Sequence, residues 1–315
     1  VKKTSLVLSV LLLLLIQRLS AAETIQLDEF SYTEDQVALA KEVVNILEGD
    51  HFLKKSFESI KREAFELYLE RLDPNKNIFL SNEITEFRNG LGLDIKDDLK
   101  AAYDAFKTYG KRYQSRYDLQ VNFLNKISEN DLRSSKRIIR DRSKAARLDV
   151  IEELENSWQD LIVNDVIQLM LSGNSLEESA EKTLKRLKNQ LNYFNQTRNE
   201  DVFNIYINSI SSIYGPHTSY MSPKNTEDFD INMSLSLEGI GALLSPDGPY
   251  TSISSLIPGG PAEKSGLLKP KDKIIGVGQE DNGEIIDVVG WRLDDVVELI
   301  RGPKDSKVRL EIIPG

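Results

Sequence analysis

Between Thr33 and Ile213 apolar residues recur at intervals of three and four, with no alternating stretch, and after Asn232 the interval becomes two. A helix buries one stripe of positions i, i+3, i+4 and i+7, whereas a strand buries every second residue. One regular element cannot satisfy both periods, so the chain must fold as an all-α N-terminal half followed by a β-rich C-terminal half. The helical run opens at Thr33-Glu34-Asp35-Gln36, a capping box, and Val37, Ala40, Val44 and Leu47 follow on one face up to Gly49. A second helix is expected from His51 to Leu72, with Phe57, Ile60, Ala64 and Leu67 inward. Asp73-Pro74 closes it, because proline disfavours helix in the residue before it. Ser81 to Phe87 reads as a short capped turn.

Asp97 to Leu124 predicts a long helix carrying Tyr103, Phe106, Tyr109, Tyr113 and Tyr117, a spacing that suits core packing better than a cofactor site. Arg133 to Arg147 holds seven basic residues and reads as a solvated helix face. Helical spacing resumes at Val150, Leu154, Trp158 and Leu161. Ser175-Leu176-Glu177-Glu178 is a second capping box, followed by the stripe Ala180, Leu184, Leu187, Leu191 and Phe194. Asp201 to Ile213 predicts the last helix. Residues 214–234 form a connector rich in Gly, Pro, Ser, Thr and Asn between domains at 23–213 and 235–315.

The C-terminal domain predicts strands at Tyr250–Pro258, Lys273–Val277, Glu284–Val288 and around Val308, Leu310 and Ile312, with one amphipathic helix from Arg292 to Arg301. Its first strand is preceded by Leu235-Ser236-Leu237-Glu238-Gly239-Ile240-Gly241-Ala242-Leu243-Leu244. Glycines inside such a pattern mark a backbone that another backbone or a ligand approaches closely. An extended peptide can add a strand beside Gly241 to Leu244, its terminal carboxylate held by successive amides of the Glu238–Gly241 turn. The candidate peptide-binding residues are therefore Leu237, Glu238, Gly239, Ile240, Gly241, Ala242 and Leu243 on the turn and strand. Leu293, Val297 and Ile300 on the helix would line the pocket for the last side chain.

Composition narrows the functional classes. A formal net charge of −10 argues against nucleic acid as a partner, and the absence of cysteine removes thiol and disulfide chemistry. Histidine occurs only at His51 and His217, neither with a second ligand at metal spacing, so no metal and no cofactor is expected. Ser179-Ala180-Glu181 lies on the capped helix begun by Ser175 and reads as helix surface rather than a nucleophile site. Val1-Lys2-Lys3-Thr4, the apolar run Ser5–Ile16 and the small residues Ser20-Ala21-Ala22 form a secretory leader, residues 1–22, too short for a transmembrane span. The mature protein is then expected outside the cytoplasm, and the family resemblance given below implies the periplasm.

Pro258-Gly259-Gly260-Pro261-Ala262-Glu263-Lys264-Ser265-Gly266-Leu267 with Asp272-Lys273-Ile274-Ile275 resembles the centre of bacterial PDZ domains. Two further stretches, Ser234–Ala242 and Asp287–Val297, together with Pro216-His217-Thr218 and Tyr220-Met221-Ser222-Pro223, resemble the tail-specific proteases, or C-terminal processing peptidases. The likeness covers essentially the whole chain beyond the leader. It departs at Gly215, where Asp is expected before Pro-His-Thr. The resemblance implies a serine endopeptidase with a Ser/Lys dyad in a domain that follows the PDZ domain, so no catalytic residue is assigned within these 315 residues and the chain alone is expected to be inactive. It implies a PDZ domain that binds apolar C-terminal tails of substrate proteins; the sequence does not reveal whether a periplasmic helper protein joins them. A non-catalytic peptide-binding adaptor is the second reading. A protease whose catalytic domain precedes its PDZ domain is disfavoured, since that region here is helical throughout.

Overall fold

The computed structural model describes residues 26–133, 137–233, 239–303 and 306–315. The expected leader, and Leu237 and Glu238 of the expected peptide turn, lie outside them. Helix α1 (Glu34–Gly49) starts at the capping box: Gln36 N donates to Thr33 Oγ1 at 3.2 Å, and Thr33 N donates to Gln36 Oε1 at 3.0 Å. It buries Val37, Ala40, Val44 and Leu47, as their spacing predicts. Helix α2 (Phe57–Leu72) starts later than periodicity suggests. The residues from His51 onward instead form a loop, in which Leu53 N donates to His51 Nδ1 at 3.2 Å and the Tyr214 hydroxyl donates to Lys55 O at 2.9 Å.

Asp73 ends α2 by collecting the chain that follows. Its carboxylate is 1% exposed and accepts the amides of Asn77, Ile78 and Phe79 at 2.8, 3.2 and 3.1 Å. It also pairs with Arg147. The expected turn at Ser81 is a helix, α3 (Ser81–Asn89). The spine of the domain is α4 (Ile95–Leu124), 30 residues or about 45 Å long at 1.5 Å per residue. Tyr103 and Phe106 are buried, and Tyr109, Tyr113 and Tyr117 pack half-buried against the same core, so the aromatic stripe is packing.

Helix α5 (Ile151–Leu171) buries Trp158, whose indole N–H donates to Asn77 O at 2.6 Å. Helix α6 (Leu176–Asn195) begins at the second capping box, and α7 (Asn199–Tyr214) lies on α2 and α4, its Tyr206 edge-on to Tyr68 at 5.5 Å. Two expectations fail here. The described residues between 137 and 150 are not helical, because Arg147 is drawn into Asp73, Arg140 pairs with Asp165 at 2.8 Å, and Lys76 holds Ala145 O at 3.2 Å. Ser179 is not on a helix surface but fully buried. The connector also carries a helix, α8 (Pro223–Met233), started by proline at its first position with Asn225 N donating to Ser222 Oγ at 3.3 Å.

The C-terminal domain is one antiparallel sheet with two helices: β1 (Ala242–Asp247), β2 (Tyr250–Leu256), α9 (Pro261–Ser265), β3 (Lys273–Gln279), β4 (Ile285–Asp287), α10 (Leu293–Ile300) and β5 (Val308–Ile313). The order is β1-β2-β3-β4, with β5 on β3. A hairpin through Gly248 (φ +62°) joins β1 to β2, with an irregularity in register at Leu243/Leu244. Ile253, Ile274, Val277, Val288, Val296 and Ile300 form the core. None of them belongs to the helical domain's clusters, so the two halves have separate hydrophobic cores.

Candidate peptide-binding site

Among the described residues β1 pairs only with β2, so its other edge is unpartnered and an extended chain could be added there. The turn that leads into this edge depends on two glycines. Gly239 sits at φ +151° and Gly241 at φ +72°, where a side chain is strained. A Cβ on Gly241 would also stand 3.1 Å from Gly260 Cα and 3.3 Å from Pro261 Cδ. The turn is held from behind through its carbonyls: Ala262 N donates to Ile240 O at 2.8 Å, and Ile257 N donates to Gly241 O at 2.9 Å. In a trans peptide the N–H points opposite to the C=O of the same plane. The amides of Gly241 and Ala242 therefore face forward, away from α9. Two adjacent, forward-facing N–H groups are what a free carboxylate requires.

Ala242 and Leu244 lie half-buried toward the domain core, as does Ile240 in the turn. Leu243 points the other way and is 58% exposed, so it contributes main chain rather than a pocket wall. On α10, Leu293 and Val297 are half-buried one turn apart. Ile300 is 5% exposed and packs with Val296 into the core cluster, so it belongs to the core and not, as expected from sequence, to a wall open to a ligand. The residues that hold the turn from behind, Ile257, Gly260 and Ala262, were not assigned to the site from sequence. Their signal was the Gly-Gly-Pro-Ala run, which reads locally as a turn into a short helix.

The two histidine segments, distant in sequence, meet in the fold: His51 Nε2 lies 3.1 Å from Thr218 Oγ1, beside His217. Among the described residues no group of three or more His, Cys, Asp or Glu side chains is placed to hold a metal. At Gly215 the turn forms without the expected Asp, Thr218 N donating to Gly215 O at 3.1 Å.

The profile of the tail-specific protease N-terminal domain matches residues 43–224, and that of the PDZ domain residues 228–313. The tail-specific protease of Haemophilus influenzae is 38% identical over 287 residues, covering 90% of this chain and 41% of that protein. The carboxy-terminal processing protease CtpA of Bacillus subtilis is 35% identical over 142 residues, covering 45% of this chain and 28% of that protein. The PDZ domain of the carboxy-terminal protease from Vibrio cholerae, solved in complex with peptide, is 60% identical, covers 25% of this chain and 81% of its own, and superposes with a TM-score of 0.25. The chain thus spans less than half the length of these curated relatives. With an N-terminal helical domain and a PDZ domain in this order, it belongs to the tail-specific protease family.

Proposed function

We propose that the PDZ domain captures proteins by their free, apolar C-terminal tails and presents them for cleavage by a serine endopeptidase. The observation that carries this reading is the Gly239–Gly241 turn, whose carbonyls are tied to Ile257 and Ala262 while the amides of Gly241 and Ala242 face the open edge of β1. A tail would enter as an extra strand beside β1, its carboxylate on those amides and its last side chain against Leu293 and Val297. The apolar wall favours an aliphatic last residue, because burying a charged one there costs several kcal/mol without a partner. Cleavage itself is assigned to a Ser/Lys dyad in a domain that follows the PDZ domain in the full-length protein, where a lysine of depressed pKa would serve as base. Export by the leader at 1–22 would place this work in the periplasm.

The test is a titration of the 315-residue chain with a peptide ending in an apolar residue, as free acid and as C-terminal amide. The free acid should bind and the amide bind at least tenfold more weakly, since a charge-assisted hydrogen-bond pair of about 1.5–3 kcal/mol is lost. Equal affinities would remove the carboxylate site. The same chain should leave an unfolded protein with an apolar tail intact, and turnover blocked by a serine-directed inhibitor would overturn the assignment of catalysis to the later domain.

A further inference from the structure

Helix α10 presents three faces. Leu293 and Val297 are half-buried on the face assigned above to the tail groove, Val296 and Ile300 enter the core, and Arg292 and Asp295 turn toward the helical domain. Arg292 donates from both terminal nitrogens to Asp201, at 2.6 and 3.3 Å, and to Gln196 O at 3.3 Å. Asp295 is gripped by Arg198, which reaches both of its oxygens, and by Lys224 Nζ at 3.4 Å. Lys224 also holds Glu298 at 2.7 Å, and Gln196 Nε2 donates to Gly290 O at 3.0 Å. Arg198 and Lys224 come from the segments before and after the Asn199–Tyr214 helix, and Lys224 is the last residue matched by the N-terminal-domain profile. Burial pushes the Asp295 carboxyl up, but Arg198 and then Lys224 outweigh it and hold the group below its ordinary value.

Since the two halves share no residue between their apolar clusters, charge and hydrogen bonds dominate the described ties between α10 and the helical domain. Leu293 lies between the gripped residues Arg292 and Asp295 in the first turn of an eight-residue helix. So short a helix moves as one body, and a displacement of Asp295 is a displacement of the groove wall. We propose that Arg198 and Lys224 are positioning residues of the tail groove: by holding Asp295 they set α10 at the separation from β1 that admits a peptide strand. This rests on the tail-binding reading. Pre-set geometry spares the peptide the cost of ordering the wall, and by linkage a bound tail tightens the contact between the domains by the same factor. Arg198 is 55% and Lys224 41% exposed, so the grip weakens with salt.

The experiment is a titration of the 315-residue chain with a free-acid, apolar-tailed peptide at ~50 mM and ~500 mM sodium chloride, alongside Arg198→Ala/Lys224→Ala. At low salt the double variant should bind about fivefold more weakly, and at high salt the two proteins should converge to within about twofold. Arg198→Glu should weaken binding further, and adding Asp295→Arg should recover most of that loss, which a merely structural role would not produce. Far-UV circular dichroism should show the same helix content in every variant. Equal affinity of wild type and double variant at both salts, or no recovery in the charge swap, overturns the positioning role and leaves tail binding standing. If wild type binds acid and amide peptides alike, the tail site falls and the positioning role with it.

Discussion

Asp98 is the buried charge on which the helical domain's stability should turn. It sits in the first turn of α4, 1% exposed; Gly92 N donates to its Oδ1 at 3.0 Å, and its Oδ2 has no hydrogen-bond partner. Burial pushes its pKa from 3.8 to about 6, against the opposing pull of the Gly92 amide and of Lys61, with Asp97 and Glu58 adding to the rise. A carboxyl whose folded value lies above its unfolded one binds more protons in the folded state. It therefore lowers stability as pH rises from about 4 to about 6, and the loss is complete above that. At about 1.4 kcal/mol per tenfold change in proton affinity, the full displacement is worth about 3 kcal/mol, and about 2 kcal/mol after solvent screening.

Asp98→Asn keeps an oxygen for the Gly92 amide and removes the charge. Thermal unfolding followed by circular dichroism across pH 4–8 should show the variant gaining about 2 kcal/mol over wild type above pH 6. For a domain of this size that is about 4–8 °C in Tm. The gain should vanish near pH 4. Parallel curves for the two proteins between pH 4 and 7 would refute the reasoning, because the cost would then not be ionisation.

At the binding turn, Gly241→Val should weaken a free-acid peptide by about 1–3 kcal/mol in a titration. It should also lower Tm, since the new Cβ stands 3.1 Å from Gly260 Cα at φ +72°; Gly239→Ala, with no neighbour within 4 Å, should pay mainly for its backbone. Arg147→Met leaves the buried Asp73 carboxylate on backbone amides alone and should destabilise by about 2–4 kcal/mol, while trypsin cuts the segment 137–144 sooner. Thr33→Ala removes the acceptor for Gln36 N and should cost about 1 kcal/mol in urea unfolding.

Much of the helical domain was legible because its signals are local. The boxes at Thr33 and Ser175 need only four consecutive residues, and the stripe from Val37 to Leu47 needs only the helix period. The basic segment 133–147 misled because its spacing says nothing about Asp73, at the C-terminal end of α2 and 74 residues from Arg147, whose need for Arg147 keeps the described part of the segment out of a helix. In the same way Ser222 and Pro223 start a helix inside a composition that reads as linker.

The amino-acid order alone determined that helices come first and a small sheet last, because periods of 3.6 and 2 are properties of neighbours along the chain. It also marked Gly239 and Gly241, since a missing side chain is visible without coordinates. Only the tertiary structure decided which amides are free, for that depends on Ile257 and Ala262 taking the turn's carbonyls from behind. It alone moved Ile300 from the pocket wall to the core and joined Arg198 and Lys224 to Asp295. Those ties span sequence separations of 97 and 71 residues, and packing brings such partners together where no local pattern records them.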